Sequence, residues 1–412
     1  VAVDPRRVGD GAKITQGNEL GTDDNSASDP QRVDDAYQPK GIELGDFLAF
    51  PLLDLSESYN SNVYATETDA KGDFISHIAP EIQLRSQYPE NQLNFLGRLD
   101  QSIFTTYHQD DHLDGIARVD GIYNFSSDTQ FTGLFDLDQT YEDRGSPDDK
   151  DATKPTRTRN AVLMARLKRQ FGRLTLSEQI DAARRLFENV PRFDNPIPLI
   201  NTDRDRYEIS DTVRAAYELF PGYAALLQGT VNTVDYDHKY DQNGFERSSN
   251  GYNIETGFGV DLTQLIRGDF LVGYLAQYMQ DPRLANPHGL AFQATFNWTP
   301  DRRTVIVPTI QRTVLETTID QASVIVQSGG GILVRHELQR NLVLTASSYV
   351  YVQEFKGTLR TDWLYDNRVR AIWSLSPDYY VGGELGYRRR TSTDDGNSFS
   401  EAVALIRFGI RM

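Results

Sequence analysis

The chain has no cysteine among its 412 residues, which excludes a disulfide framework and any thiolate metal site. It also lacks any run approaching the roughly 18 apolar residues that a membrane-spanning helix requires, and hydrophobic residues make up only 39% of it. Positive charge is in deficit: 42 Lys and Arg stand against 59 Asp and Glu, a net charge of −17. That balance argues against a nucleic-acid partner. The six histidines, His77, His108, His112, His238, His288 and His336, are scattered without metal-ligand spacing on one element. No nucleophile elbow, phosphate-binding loop or zinc motif is present. Catalysis is therefore not expected, and neither a cofactor nor a metal is called for. His108 and His112 bracket Asp110 and Asp111 in a short loop; weak binding of a divalent cation is conceivable there, but a solvated loop is the plainer reading. A repeat of roughly 40–50 residues, the mark of a propeller, is also missing.

What the chain does have is alternation. In 402–412, Ala402, Ala404, Ile406, Phe408, Ile410 and Met412 form one apolar face, and Val403, Leu405, Arg407, Gly409 and Arg411 a mixed one. Period two is the signature of a β-strand, whose successive side chains point to opposite sides. The same pattern fills the chain from Phe47 onward. Leu290, Phe292, Ala294, Phe296 and Trp298 are expected on a lipid face, with Ala291, Gln293, Thr295 and Asn297 lining water. A low apolar content suits such a structure, because half of every strand faces water, and the 21 Tyr and 20 Phe suit interfacial girdles.

The connections alternate too. Tight turns rich in Pro, Gly, Asn and Asp lie near residues 89–91, 126–128, 172, 221–222, 300–301, 339–341 and 376–378, with a longer one at 264–268. Between them fall longer, charged segments at 60–72, 143–157, 188–205, 237–251, 281–289, 356–362 and 391–397, with short ones near 108–111 and 319–321. About eight turns and nine loops make about eighteen strands, an even number as bacterial outer-membrane barrels require. The expected fold is an all-β, transmembrane, up-and-down antiparallel β-barrel over residues 46–412, with both termini periplasmic. Residues 1–45, polar and aperiodic, are expected to be a flexible periplasmic or lumenal segment. The chain opens at Val1 without a charged and then apolar leader, so an export signal is expected to have been removed already. A transporter with a folded plug would need about 22 strands, and the leader is too short and polar to be that plug.

The segment 41–66, GIELGDFLAFPLLDLSESYNSNVYAT, resembles the opening of the putative β-barrel porin 2 family, and 142–149, EDRGSPDD, is similar to a motif of that family's long loop. The resemblance implies a proteobacterial outer-membrane barrel, in members often encoded beside exopolysaccharide synthesis and export genes. It brings no catalytic residues. The partners it implies are outer-membrane lipid and lipopolysaccharide, and a periplasmic polysaccharide-export protein.

Any chemistry should then lie on the inward faces. Asp114, Arg118, Asp120, Asp136 and Asp138 should point inward on two neighbouring strands, Arg166 and Lys168 on another, and Arg368, Arg370, Arg388 and Arg390 on two late strands. Opposed acidic and basic arcs would set a transverse field across a wide pore; alternatively these charges pair with neighbours and solvate the lumen. Three residues break the lipid face. Arg184 and Asp211 are expected to be diagonal partners near the loop ends, and a local bulge, in preference to cover by a neighbouring subunit, is expected to turn Glu178 inward. The functional expectation is an outer-membrane channel for a hydrophilic substrate, taking part in exopolysaccharide export. A general diffusion porin and an occluded scaffolding barrel are the alternatives.

Overall fold

The computed structural model describes residues 35–148, 152–192, 196–262 and 265–412. A short strand β1 (Ile42–Leu44) precedes β2 (Phe47–Asn60), β3 (Asp73–Ser86), β4 (Gln92–Phe104), β5 (His112–Ser126), β6 (Thr129–Tyr141) and β7 (Arg157–Phe171). Next come β8 (Leu174–Phe187), β9 (Arg206–Phe220), β10 (Tyr223–Tyr236), β11 (Ser249–Leu262), β12 (Ile266–Met279) and β13 (His288–Asp301). The last six are β14 (Thr304–Leu315), β15 (Ile325–Gln339), β16 (Leu342–Phe355), β17 (Thr361–Ser374), β18 (Tyr379–Ser392) and β19 (Phe399–Arg411).

Each strand from β2 to β19 pairs antiparallel with its sequence neighbours. β19 then pairs with β2, from Val403 opposite Asn60 to Arg411 opposite Leu52. The sheet is a closed barrel of eighteen strands, β2 to β19. Closure leaves the barrel without a free sheet edge, the condition for crossing a lipid bilayer with strands. A 14-residue strand such as β2 is about 46 Å long, and tilted by about 40° it spans about 35 Å, enough for the hydrocarbon core.

The expected facing holds. The outer surface carries the apolar sets, including Ile406 at 69% and Leu385 at 66% exposed. On β13, Leu290 and Trp298 are exposed outside, while Gln293 reaches the Glu255 carboxylate inside at 2.8 Å. Exposed outer aromatics gather at both rims: Phe125, Phe171, Phe220, Trp298 and Trp373 near the turns, Tyr59, Phe74, Tyr207, Trp363 and Tyr387 near the loops. These are the two interfacial girdles of a membrane barrel.

Three expectations need correction. The pairing of β8 with β7 and with β9 runs without a shift, so no bulge turns Glu178 inward; it faces out between Leu167 and Val213. Arg184 pairs not with Asp211 but with both carboxylate oxygens of Asp237, at 2.7 Å and 2.5 Å, and lies over the Tyr207 ring at 4.2 Å. The segment before the barrel is also partly structured: β1 pairs with the start of β2, and the Arg411 guanidinium donates to the Tyr37 carbonyl at 2.9 Å. The rest of that segment, 1–34, lies outside the described residues. The entering chain and the C-terminus thus meet at the rim carrying the tight turns.

Candidate functional site: a loop across the lumen

The segment joining β6 to β7 does not stand away from the rim; it folds across the barrel. Its base is closed by the Glu142 amide donating to the Thr156 carbonyl at 2.8 Å, and its first bend by Ser146 donating to the Asp143 carbonyl at 2.7 Å. The Asp143 carboxylate caps that bend by accepting the Gly145 amide at 2.6 Å, a local bond that Asp makes well. Gly145 lies so close to the Phe399 ring that a Cβ there would fall 2.8 Å from Cζ. Only glycine lets the backbone approach so near.

Ionic anchors hold this loop to widely separated parts of the wall. Near its own strands, Glu142 takes a buried two-pronged bond from Arg204, one arm at 2.8 Å. The Arg144 guanidinium donates to the Asp110 carboxylate at 2.5 Å and to the Ala152 carbonyl at 2.6 Å. Further round, Asp143 accepts from Arg388 at 2.7 Å, and the Gly145 carbonyl accepts from Arg390 at 2.5 Å. At the tip, the Asp148 carboxylate accepts the Thr317 hydroxyl at 2.9 Å and the Thr318 amide at 3.1 Å. β6 is the fifth barrel strand and β15, which follows Thr317, the fourteenth of eighteen. The loop is therefore a chord reaching the opposite wall, near the rim that carries the long loops.

Neighbouring loops brace the chord. Arg247, 1% exposed, pairs with the buried Asp241 at 2.6 Å and donates to the Ile319 carbonyl at 3.1 Å. This locks the β10–β11 loop to the β14–β15 loop where the chord ends. Burying such a pair costs desolvation, so the gain is a defined geometry more than stability.

The carboxylates of this network respond to their surroundings in opposite ways. Burial works against the Asp143 anion, but the charge and hydrogen bond of Arg388, the Gly145 amide and the charge of Arg390 outweigh it, and its pKa lies below the ordinary value. At Asp110 burial wins over Arg144, and the pKa lies above the ordinary value. Asp110 is thus not a solvated loop residue: its carboxylate is buried against Arg144. Among the described residues, no group of three or more His, Cys, Asp or Glu could hold an ion.

The expected lumen residues all lie on inward faces, and most of them are engaged by neighbouring side chains of the wall. Arg118 donates to Asp136 at 2.7 Å. Asp120 accepts from Asn94 at 2.9 Å and Asp138 from Asn160 at 2.7 Å. Asp114 lies 3.9 Å from the His112 ring. Arg166, buried, stands diagonal to Asp181, with the half-buried Lys168 next on the same face. On the late strands Arg368 binds Asp366 at 2.9 Å, and Arg370 binds Glu384 at 2.5 Å. Arg388 adds Glu401 at 2.8 Å to its bond with Asp143, and Arg390 adds the Asn397 carbonyl at 2.5 Å. Arg388 and Arg390 therefore join the early loop to the late strands, while Arg118, Arg368 and Arg370 pair with carboxylates within their own arcs. Asp120 and Asp138 are held by neutral amides and keep their charge on the early arc. Reading the sequence missed Glu142, Asp143, Arg144, Gly145, Asp148 and Glu401. The available signal was a loop with charges of both signs and a Gly-Ser-Pro bend, in a barrel whose inward arginines outnumber the carboxylates on β18.

A family model described as putative beta-barrel porin 2 matches residues 35–411. The chain belongs to that family. The porin has no match among curated proteins. Among solved structures it is similar to Pseudomonas aeruginosa OpdO, with 11% identity, 89% of this chain and 98% of that one covered, and a TM-score of 0.43. It is similar also to P. aeruginosa OpdK solved with vanillate (8% identity, 88% and 99% covered, TM-score 0.45). A third is the G324V mutant of the P. aeruginosa ferric enterobactin receptor PfeA (8% identity, 91% and 81% covered, TM-score 0.46). Likenesses at this level carry no argument about substrate. Family and fold are those of an outer-membrane barrel and point to a channel rather than a catalyst.

Proposed function

We propose that this porin passes a hydrophilic solute across the outer membrane, and that the chord 142–148 is the constriction that controls passage. The carrying observation is the Asp143–Arg388 bond, which fixes a loop from one side of a wide lumen to a strand on the other. A barrel of eighteen strands encloses an aqueous channel unless something fills it, and here a defined loop narrows it at one rim. The tight-turn rim, where the entering chain and C-terminus meet, is the periplasmic one in this reading. A periplasmic polysaccharide-export protein would engage that rim, and lipid and lipopolysaccharide the girdled outer wall. Export of a secreted polysaccharide is the use we favour. It is supported by the resemblance of 41–66 and 142–149 to a family often encoded beside such genes, and not by any single side chain.

The test is single-channel recording in planar bilayers, with the intact porin and a variant lacking residues 143–148. A stable conductance that grows on deletion is expected. If both proteins insert and neither conducts, the scaffolding alternative replaces this reading.

A further inference from the structure

Seven of the eighteen barrel strands form a stretch of lumen wall chemically unlike the rest. On β2 to β9 and β17 to β19 the inward faces carry many charges, several of them in ion pairs such as Arg118–Asp136 and Arg370–Glu384. On β10 to β16 the central stretch carries one carboxylate, Glu255, and that one accepts amide hydrogens from Gln293 at 2.8 Å and Gln228 at 3.4 Å. The other inward charges of this arc, such as Asp269 and Arg335, lie within five residues of the turns. Amides take the place of charges: Asn232 bonds Gln277 at 3.3 Å, and Gln353 bonds Gln327 at 2.8 Å. Between them a cavity of about 130 Å³ is lined mainly by amides and hydroxyls, among them Asn232, Asn253, Gln277, Gln293 and Gln311, with Glu208, Glu255 and Arg312 also on its wall.

Two aromatic rings finish this arc. Tyr349 and Tyr351 are successive inward residues of β16, with ring centroids 6.2 Å apart and planes within 4° of parallel. They lean over Gly331 and Gly329 of β15, where any side chain would strike them. Tyr351 touches the cavity under the chord, beside Asp143 and Arg388. Three amide oxygens of the same arc, on Asn232, Asn253 and Gln353, have no hydrogen-bond partner among the described residues.

We propose that this arc is the solute path and that it selects uncharged polyhydroxylated solutes, a neutral carbohydrate chain, over charged ones. The inference rests on the channel reading above and goes beyond it in naming the path and the selectivity. A sugar hydroxyl is both donor and acceptor, and so is a side-chain amide, so each amide of the lane can meet a passing hydroxyl in either sense. The unpartnered oxygens await donors, which hydroxyls supply. A sugar ring also has an apolar C–H face, which suits the electron-rich face of a tyrosine. The charges at the edge of this lane are already engaged, Arg312 with Glu354 at 3.6 Å and Glu208 with Arg206 at 2.8 Å, so the desolvation of a charged solute goes largely uncompensated there.

The experiment is current blockade of the reconstituted porin by a neutral linear maltohexaose and by an oligogalacturonate of equal length. Maltohexaose should block at a concentration at least tenfold lower. Tyr349→Ala should shorten its dwell time about tenfold, while Tyr349→Phe, which keeps the ring, leaves it near the parent value. Equal or stronger blockade by the uronate, or a dwell time indifferent to Tyr349→Ala, overturns the inference. Calorimetric titration of the detergent-solubilised porin with both sugars separates the two readings. Maltohexaose binding without any current leaves the carbohydrate lane standing and removes the channel. Current without preferential binding or blockade by maltohexaose leaves the channel and removes the lane.

Discussion

Asp143→Asn is the sharpest perturbation of the constriction. The asparagine oxygen can still accept the Gly145 amide, so the local bend survives while the negative charge that meets Arg388 is lost. Asp143 is 41% exposed against 14% for Arg388, so this bond is closer to a solvated ion pair than to a buried one and is worth about 1 kcal/mol. That predicts about a fivefold shift towards the released loop at 1.4 kcal/mol per tenfold. The Arg390 bond to the Gly145 carbonyl is better shielded, with Arg390 at 4% exposed, and a charged donor in that setting adds about 1.5–3 kcal/mol. The double variant Asp143→Asn with Arg390→Gln should therefore lose about 2.5–4 kcal/mol of attachment, a factor of about 60–700. Single-channel recording should show a larger conductance and more open-channel noise, both rising from the single to the double variant. Arg388→Gln is the control for plain electrostatics. It changes the lumen charge in the opposite sense to Asp143→Asn, so a charge effect shifts ion selectivity oppositely in the two, whereas loop release raises conductance in both. A double variant that conducts like the parent, with the same noise, would refute the chord as a constriction.

Four further outcomes follow from the same geometry. Because the Asp143 pKa is depressed when the loop is docked, its contribution is present above the ordinary carboxyl value of about 3.9 and is lost as pH falls through the lower docked value. Conductance recorded in a buffer series should stay flat from pH 8 to pH 5 and rise only below about pH 4; a transition near neutrality contradicts this. Arg247→Met leaves the buried Asp241 without its cation and should cost about 3–5 kcal/mol, read as faster proteolysis of the β10–β11 and β14–β15 loops, with Asp241→Asn on top restoring part of the protection. Val369, 56% exposed on the outer face, should tolerate arginine poorly, at about 2–4 kcal/mol near the bilayer midplane, measured by urea-dependent folding into vesicles. Cysteines introduced singly at 295 and 296 should differ in labelling by a water-borne reagent, with only the position of Thr295 modified.

Period-two alternation determined the strands, their facing and their number, because the barrel wall separates lipid from water and each residue must suit one of the two. The alternation of tight and long connections likewise determined the up-and-down order. These are local properties, legible from each strand and its flanking turns. Exceptions to the pattern were not legible. Glu178 in sequence reads as a misfit that a bulge should repair, yet the unbroken ladders on both sides of β8 keep it outside. The charges were visible as inward but not as paired, since Arg118 and Asp136 meet only through the register of β5 against β6. The constriction lay furthest from reach. EDRGSPDD could be read as a charged loop, but its anchors Arg388 and Arg390 are some 245 residues away along the chain. Only closure of β19 onto β2 brings those strands round to face it. The local code decides what each residue's surroundings are, water or lipid; which distant residue it meets there is decided by the diameter of the closed barrel and the reach of a loop across it.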